Sequence, residues 1–510
     1  MPPAAVASAA SGSSRSSVPP FFMYGESELD QHWLSNCSGY HAVRTGVRMQ
    51  NTAELGAAKV LRRHPMRVHD PSRAVLFFVP VLTYVSKWIG QCGNTSSHRE
   101  RMALAAAALQ RAPQWQRFKG RDHFFVSTTW STSKTSFRAQ LHELAQPLTC
   151  ASAGRYKQMC AHACVRRSSS LASCTVHAPY AINPHATAHY QRERERPVLV
   201  SFSGSLDVCC TGTSIRCRVG DYLVAAVDMP DVILRPSLPA NASGAARGGP
   251  CTEAALLKLG RLLLTRASPL GGGGGGVSEE AGRARALALA HLASRSKRAA
   301  ALSQGSPPVG RQLQAAWREA AVSGDAVSSD ARLMASSVFC FTPAGDTCVQ
   351  GRFYSAVAAG CIPVVACKGA PHPVAFDHLL RYERFWISVT TAEWDRPAEL
   401  LARLRRMPPE EIRSYQAALA HHRPDILYDV PNSRVGGNLL RDLLRNCYSP
   451  VALADFDAHH LCNVSSAAEA LGSPVAWPPP ELLELSSRVA RSARTAIGNG
   501  THVHHADDGD

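Results

Sequence analysis

The sequence has no apolar run long enough to cross a bilayer. Its longest, Ala74 to Val85, is interrupted by Pro80 and Thr83 and reads as a buried strand. Residues 1–20 are rich in Ala, Ser and Pro, carry Arg15, and contain no continuous apolar core of a signal peptide or anchor. The expectation is therefore either an anchor encoded further upstream or no membrane tether. The Ser337 to Lys368 stretch has no GxGxxG turn and no Walker A lysine, which disfavours the usual dinucleotide and ATP sites there. No CxxC pair recurs at zinc-site spacing, and a cluster drawn from Cys160, Cys164, Cys174 and His177 does not fit finger geometry. With no RNP-type aromatic motif and no basic helix run, nucleic acid is not an expected partner. Lysine is scarce, so the formal net charge of +16 rests mainly on arginine. That charge suits anionic ligands such as nucleotide diphosphates or acidic glycans, and equally a solvated basic surface.

What is present is a chain of 510 residues, 45% hydrophobic, enough for two or three domains. Sixteen cysteines and sequons at Asn36, Asn94, Asn241, Asn463 and Asn499 fit disulfide formation in an oxidising lumen. Short apolar runs alternate with helical patterns. Phe21 to Tyr24, Ala74 to Val79, His123 to Val126 and Val198 to Phe202 read as strands. Asn51 to Arg63 and Glu100 to Arg111 read as helices. The alternation predicts doubly wound α/β domains. The expected division is a disordered segment over 1–20 and an N-terminal Rossmann-like domain over 21–195. A C-terminal Rossmann-like domain follows over 196–448, with a flexible Gly/Ala-rich insertion near 240–314. A partly disordered extension occupies 449–510, and its His502, His504 and His505 read as solvated.

The densest chemistry lies between Ser337 and Lys368. Ser337 to Phe341 is a strand, Thr342 to Gly351 a turn-rich loop, and Arg352 to Ala359 a helix closed by Gly360. Cys361 to Ala366 is the next strand. This βαβ unit carries its loop at the carboxyl end of a strand, where open α/β sheets bind ligands. The helix N-terminus offers unpaired N–H groups to a phosphate. Arg352 adds a bidentate donor, and Asp346 and Thr347 shape the loop.

Phe339 to Thr347 followed by Gly351 to Val365 resembles the signature of exostosin-like proteins, glycosyltransferase family 47. Further blocks are similar in the same order: Arg67-Val-His-Asp-Pro71 with Ala74 to Pro80, Gly120-Arg-Asp-His-Phe124, and Val176 to Tyr180. Phe202-Ser-Gly-Ser205 with Gly212 to Arg216 comes next, and Ala375-Phe-Asp377 leads to Arg384-Phe385 in the place of a "PFE … F" strand. The resemblance covers roughly Phe21 to Leu419. It implies a GT-B architecture, two Rossmann-like domains facing across a cleft, with the nucleotide sugar on the C-terminal one and the acceptor on the other. It also implies metal-independent transfer, with a UDP-sugar as donor substrate and no separate cofactor.

On that resemblance Arg216 and Arg352 hold the diphosphate, Asp346 and Thr347 approach the sugar, and Asp377 stands where the family carries a ribose-binding glutamate. Inverting transfer needs a group that deprotonates the acceptor hydroxyl. The candidates are Glu54, in a Gln50-x-x-x-Glu54 arrangement like the family's "QY-x-x-E", and the Asp122–His123 pair, which serves equally well as an internal ion-paired strand start with Arg121. Relatives carry an acidic residue in the loop after the GRDHF strand, whereas residues 127–133 contain none. Two functions remain open at this point. One is an inverting glycosyltransferase building polysaccharide or glycoprotein glycans in the Golgi. The other is a catalytically silent family member that partners an active transferase as a hetero- or homo-oligomer. A glycan-binding protein without catalysis would require the donor loop to be coincidental.

Overall fold

The computed structural model describes residues 18–45, 47–92, 97–118, 122–127, 149–152, 175–182, 184–191, 195–206, 213–226, 228–237, 251, 325–345, 348–367, 374–447 and 484. The Gly/Ala-rich insertion (Cys251 apart), the C-terminal extension (Glu484 apart), the loop after the GRDHF strand, and both Asp346 and Thr347 lie outside them.

The first sheet comprises β1 (Phe21–Met23), β2 (Arg67–Val68), β3 (Leu76–Phe78), β4 (His123–Ser127), β5 (Thr149–Ser152) and β6 (Thr175–His177), in the order β2-β1-β3-β4-β5-β6. The second comprises β7 (Val198–Ser205), β8 (Val232–Ser237), β9 (Ser337–Phe341), β10 (Ile362–Ala366) and β11 (Ile387–Val389), in the order β11-β10-β9-β7-β8. Every pairing is parallel. Parallel sheets need helical crossovers on their faces, which explains the unbroken apolar strands: β3 is buried at all three positions and β10 at all five. The result is the two-unit α/β fold of GT-B type.

The helices used below are α1 (Ala53–Arg62), α2 (Thr83–Ile89), α3 (His98–Arg111), α4 (Gly351–Ala359), α5 (Pro409–Ile426) and α6 (Val435–Cys447). Local rules set several of their ends. Ser97 and Glu100 form a reciprocal capping box that starts α3. Gly360, at φ 76°, closes α4 in the left-handed conformation that lacks a penalty only for glycine.

Two sequence expectations are corrected. The run Ala74 to Val85 is not one strand: β3 ends at Phe78 and α2 begins at Thr83. The side chain that makes this start possible, Glu54, lies on another helix and accepts the backbone N–H groups of Tyr84 and Val85. No local pattern announces it. The segment around Asp377 is likewise a series of turns, not a strand. Phe376 sits at φ 61°, a conformation no strand tolerates, and the edge strand β11 comes only after it.

The chain finally returns to its beginning. Helix α6 packs on β5, β6 and α1 of the first sheet. Leu439, Leu440, Leu443 and Leu444 are fully buried there, in one core with Phe21, Leu76 and Val176. Burying four leucines contributes about 6–12 kcal/mol as an upper estimate. The same core takes in Phe353, Tyr354 and Val357 of α4, so the second unit's central helix rests on the first unit.

Candidate active site

Strands β7 and β9 and helix α4 bring three strongly electropositive features to one edge. The first is the α4 N-terminus. Its N-cap Gln350 is extended and makes no side-chain cap, spending its amide instead on the Pro343 carbonyl at 3.1 Å. A helix start without a cap leaves N–H groups for something else. The second is Arg352, in the first turn of α4, with its guanidinium carbon 4.7 Å from the Phe202 ring centre. The third is Arg216, on the short helix Thr213–Cys217, buried and held by the Ala344 carbonyl at 3.2 Å and the Ser205 carbonyl at 3.1 Å.

Two glycines make room for this pair. Gly204, at φ 149°, lies where a Cβ would collide with the Arg352 guanidinium. A Cβ on Gly345 would stand 2.6 Å from Arg216 Nη2. The cationic groups therefore sit flush against backbone. Arg352 is half-buried, and its Nε has no hydrogen-bond partner. Burial, reinforced by the like charge of Arg216 and opposed by Asp330, pushes its pKa down to about 9. A guanidinium this poorly compensated, beside a second one and an uncapped helix start, is the electrostatic complement of a polyanion.

The helix is anchored at its other end. Arg196 donates to the Ala359 carbonyl at 3.2 Å, and Arg423, stacked on Tyr190, donates to the Ala358 carbonyl at 2.7 Å. Both cations complement the negative end of the helix dipole. Disulfides Cys348–Cys367 and Cys340–Cys361 tie the loop and β9 to the neighbouring chain, and Cys37–Cys92 and Cys217–Cys251 join segments elsewhere.

The first unit meets this edge through Gln50, whose side chain lies against the Gly351 backbone, 2.5 Å from where a Cβ would project. One turn further on, Glu54 is 1% exposed. It accepts Thr83 Oγ1–H at 2.9 Å, Tyr84 N–H at 3.1 Å and Val85 N–H at 2.8 Å. Burial raises its pKa to about 7 against these three donors. Thr83 Oγ1 also lies 3.1 Å from Ser127 Oγ, at the carboxyl end of β4.

The remaining sequence candidates fall elsewhere. Asp122 and His123 are fully buried at the opposite, amino-terminal end of β4. His123 Nδ1 lies 2.7 Å from Asp122 Oδ1, its Nε2 2.7 Å from the Tyr24 hydroxyl, and Phe77 stacks on its ring. Arg117 pairs with Asp122 at 2.9 Å, and Arg121 lies outside the described residues. This closed cluster orders a strand start and offers no atom to a sugar. Asp377 is 65% exposed beside His378, which faces the buried Asp442 at 3.0 Å; no contact among the described residues joins it to the arginine pair. Thus the structure brings together Arg216, Arg352 and, through Gln50, the neighbourhood of Glu54. Sequence reasoning passed over Gly204, Phe202, Thr83 and Ser127; only the F-x-G block hinted at the first two.

The Exostosin GT47 domain matches residues 16–232 and 276–404, most of the chain. Over 102 residues the chain is 30% identical to the "Probable arabinosyltransferase ARAD1" of Arabidopsis thaliana. That alignment covers 20% of this chain and 22% of the relative's length.

Proposed function

We propose, from the premise that this chain belongs to the Exostosin GT47 family and is a glycosyltransferase, that it moves a sugar from a UDP-sugar to a glycan hydroxyl with inversion. The observation that carries this reading is the pairing of Arg216 and Arg352 at an uncapped helix start, with glycines where side chains would block them. In the transfer, the acceptor oxygen attacks the anomeric carbon while the bond to the diphosphate breaks. Negative charge develops on the leaving oxygen, and two pre-placed guanidinium groups with helix N–H donors stabilise it without reorganisation. Charge neutralisation by these groups supports metal-independent transfer. Asp346 and Thr347, in the same loop, reach the donor sugar in this reading, and Asp377 accepts from the ribose. Glu54 serves as the base.

The acceptor is a polysaccharide or glycoprotein glycan, and the setting is the Golgi lumen or membrane. The four disulfides among the described residues support an oxidising compartment. No helix among them is long and apolar enough to cross a membrane.

The test is a UDP-sugar panel, UDP-arabinose included because of the relative, measured by calorimetry and then by transfer on protein expressed through a secretory route. UDP is expected to bind and Arg352→Ala to weaken binding about 10- to 10²-fold. Absence of nucleotide binding, or an Arg352→Ala protein that binds as before, removes the proposal. Binding without hydrolysis or transfer replaces it with the silent partner subunit of another glycosyltransferase.

A further inference from the structure

Glu54 is too deeply buried to meet an acceptor sugar, yet two hydroxyls connect it to the edge of the first sheet. We propose that Ser127 and Thr83 form a relay that carries the acceptor's proton to Glu54, with Ser127 the group that touches the substrate. The inference rests on the transferase reading above and supplies the acceptor-side chemistry that reading lacks.

The hydrogen-bond inventory sets the direction of the chain. Thr83 has one hydroxyl hydrogen, and the carboxylate of Glu54 claims it at 2.9 Å. Thr83 Oγ1 therefore accepts from Ser127 at 3.1 Å, and the two lone pairs of Ser127 Oγ give it the capacity to accept an acceptor-sugar O–H beside its other contacts. A carboxylate that only capped α2 would need no more than the N–H groups of Tyr84 and Val85. The additional link leaves the helix and reaches another element, at the carboxyl end of β4.

The step balances. As the acceptor oxygen bonds to the anomeric carbon, its proton passes to Ser127 Oγ. The Ser127 proton moves to Thr83 Oγ1, and the Thr83 proton moves to Glu54 Oε2. The carbon–oxygen bond to the diphosphate breaks with its electron pair leaving on the diphosphate. One carboxylate becomes a carboxylic acid, and both hydroxyls end as they began.

Among the described residues the groups that face Glu54 are Thr83, Tyr84 and Val85 of α2 and, through Thr83, Ser127 of β4; burial raises its proton affinity and these donors lower it, with no charged side chain among the described residues contributing. A base titrating near neutrality accepts a proton at low cost and is still ionised in a large fraction of molecules.

The experiment measures kcat against pH for wild type, Thr83→Val, Thr83→Ser and Ser127→Ala, using whichever UDP-sugar the wild type turns over. Solvent deuterium inventories accompany each profile. Wild type should show an acidic limb near pH 7 and a curved, multi-proton inventory. Thr83→Val and Ser127→Ala should each lower kcat by about 10²–10⁴-fold, with UDP affinity unchanged. Thr83→Ser should restore both rate and curvature. If Thr83→Val retains the wild-type kcat and profile, or Thr83→Ser is as impaired as Thr83→Val, the relay is wrong while the transferase reading stands. If the wild type transfers no sugar at all, both fall together.

Discussion

Replacing Arg352 with methionine should make the empty protein more stable and its hold on the ligand weaker. The drop in Arg352 pKa to about 9 corresponds to roughly 5 kcal/mol disfavouring the charged form in the free protein. Relaxation and water reduce that figure, and the lost contact with Phe202 returns about 0.5–1 kcal/mol. A net gain of about 1–2 kcal/mol in the Arg352→Met protein remains after both. The same substitution deletes charge-assisted hydrogen bonds to the diphosphate worth about 1.5–3 kcal/mol, so UDP affinity should fall about 10- to 10²-fold. Denaturant unfolding of the unliganded proteins and calorimetric titration with UDP read the two effects separately. The opposite signs are the informative part. A variant less stable than wild type by 1 kcal/mol or more, with UDP binding intact, would show that the buried charge is there for folding. It would refute the assignment of Arg352 to the ligand.

Gly204→Ala should weaken UDP binding by a similar factor, because its Cβ would displace the Arg352 guanidinium; the positive φ adds about 1–3 kcal/mol of strain, visible in the same unfolding assay. Replacing Cys348 and Cys367 together with serine opens a link between residues 19 apart and should cost about 3 kcal/mol in chemical unfolding, while loosening the loop enough to weaken UDP binding. Arg434→Ala should cost about 1–3 kcal/mol by removing the cation that donates to the buried Asp425 at 2.6 and 2.8 Å, leaving it only His422 and Asn438 among the described residues. Burial alone would raise the Asp425 pKa, but Arg434 and His422 override it and hold it down at about 2. Because this folded-state value lies below the ordinary one, the contribution is present above about pH 4 and lost as pH falls through about 2. Acid unfolding of Arg434→Ala should accordingly begin at a higher pH than that of wild type.

Much of the second unit was legible in the sequence because its signals are local. Ser337–Phe341 matched as a strand, and Gly360 marked a helix end by a conformation that only its own residue type adopts freely. The two arginines were legible as cations in the F-x-G … G-x-IR and βαβ blocks. Their mutual placement was not, because it depends on Gly204 and Gly345 lying under them from separate strand ends. In the first unit the interactions on which the proposed relay rests span 29 and 44 residues, Glu54 to Thr83 and Thr83 to Ser127. Neither hydroxyl belongs to a periodic pattern, so nothing in a window of neighbouring residues separates them from any other Ser or Thr. The Asp122–His123 pair illustrates the converse: adjacent titratable residues read as chemistry until their aromatic enclosure, built from Tyr24, Phe77 and Trp115, is seen.

The return of α6 to the first sheet has a meaning in time as well as in space. A chain leaves the ribosome at about 5–20 residues per second. The leucines that finish the core around Phe21 thus follow it by roughly 20–85 s. Through that interval the first sheet stands without the helix that covers β5 and β6. The first sheet is therefore completed by a helix made long after its strands, α6 closing over β5, β6 and α1, and truncation ahead of Val435 would remove that cover.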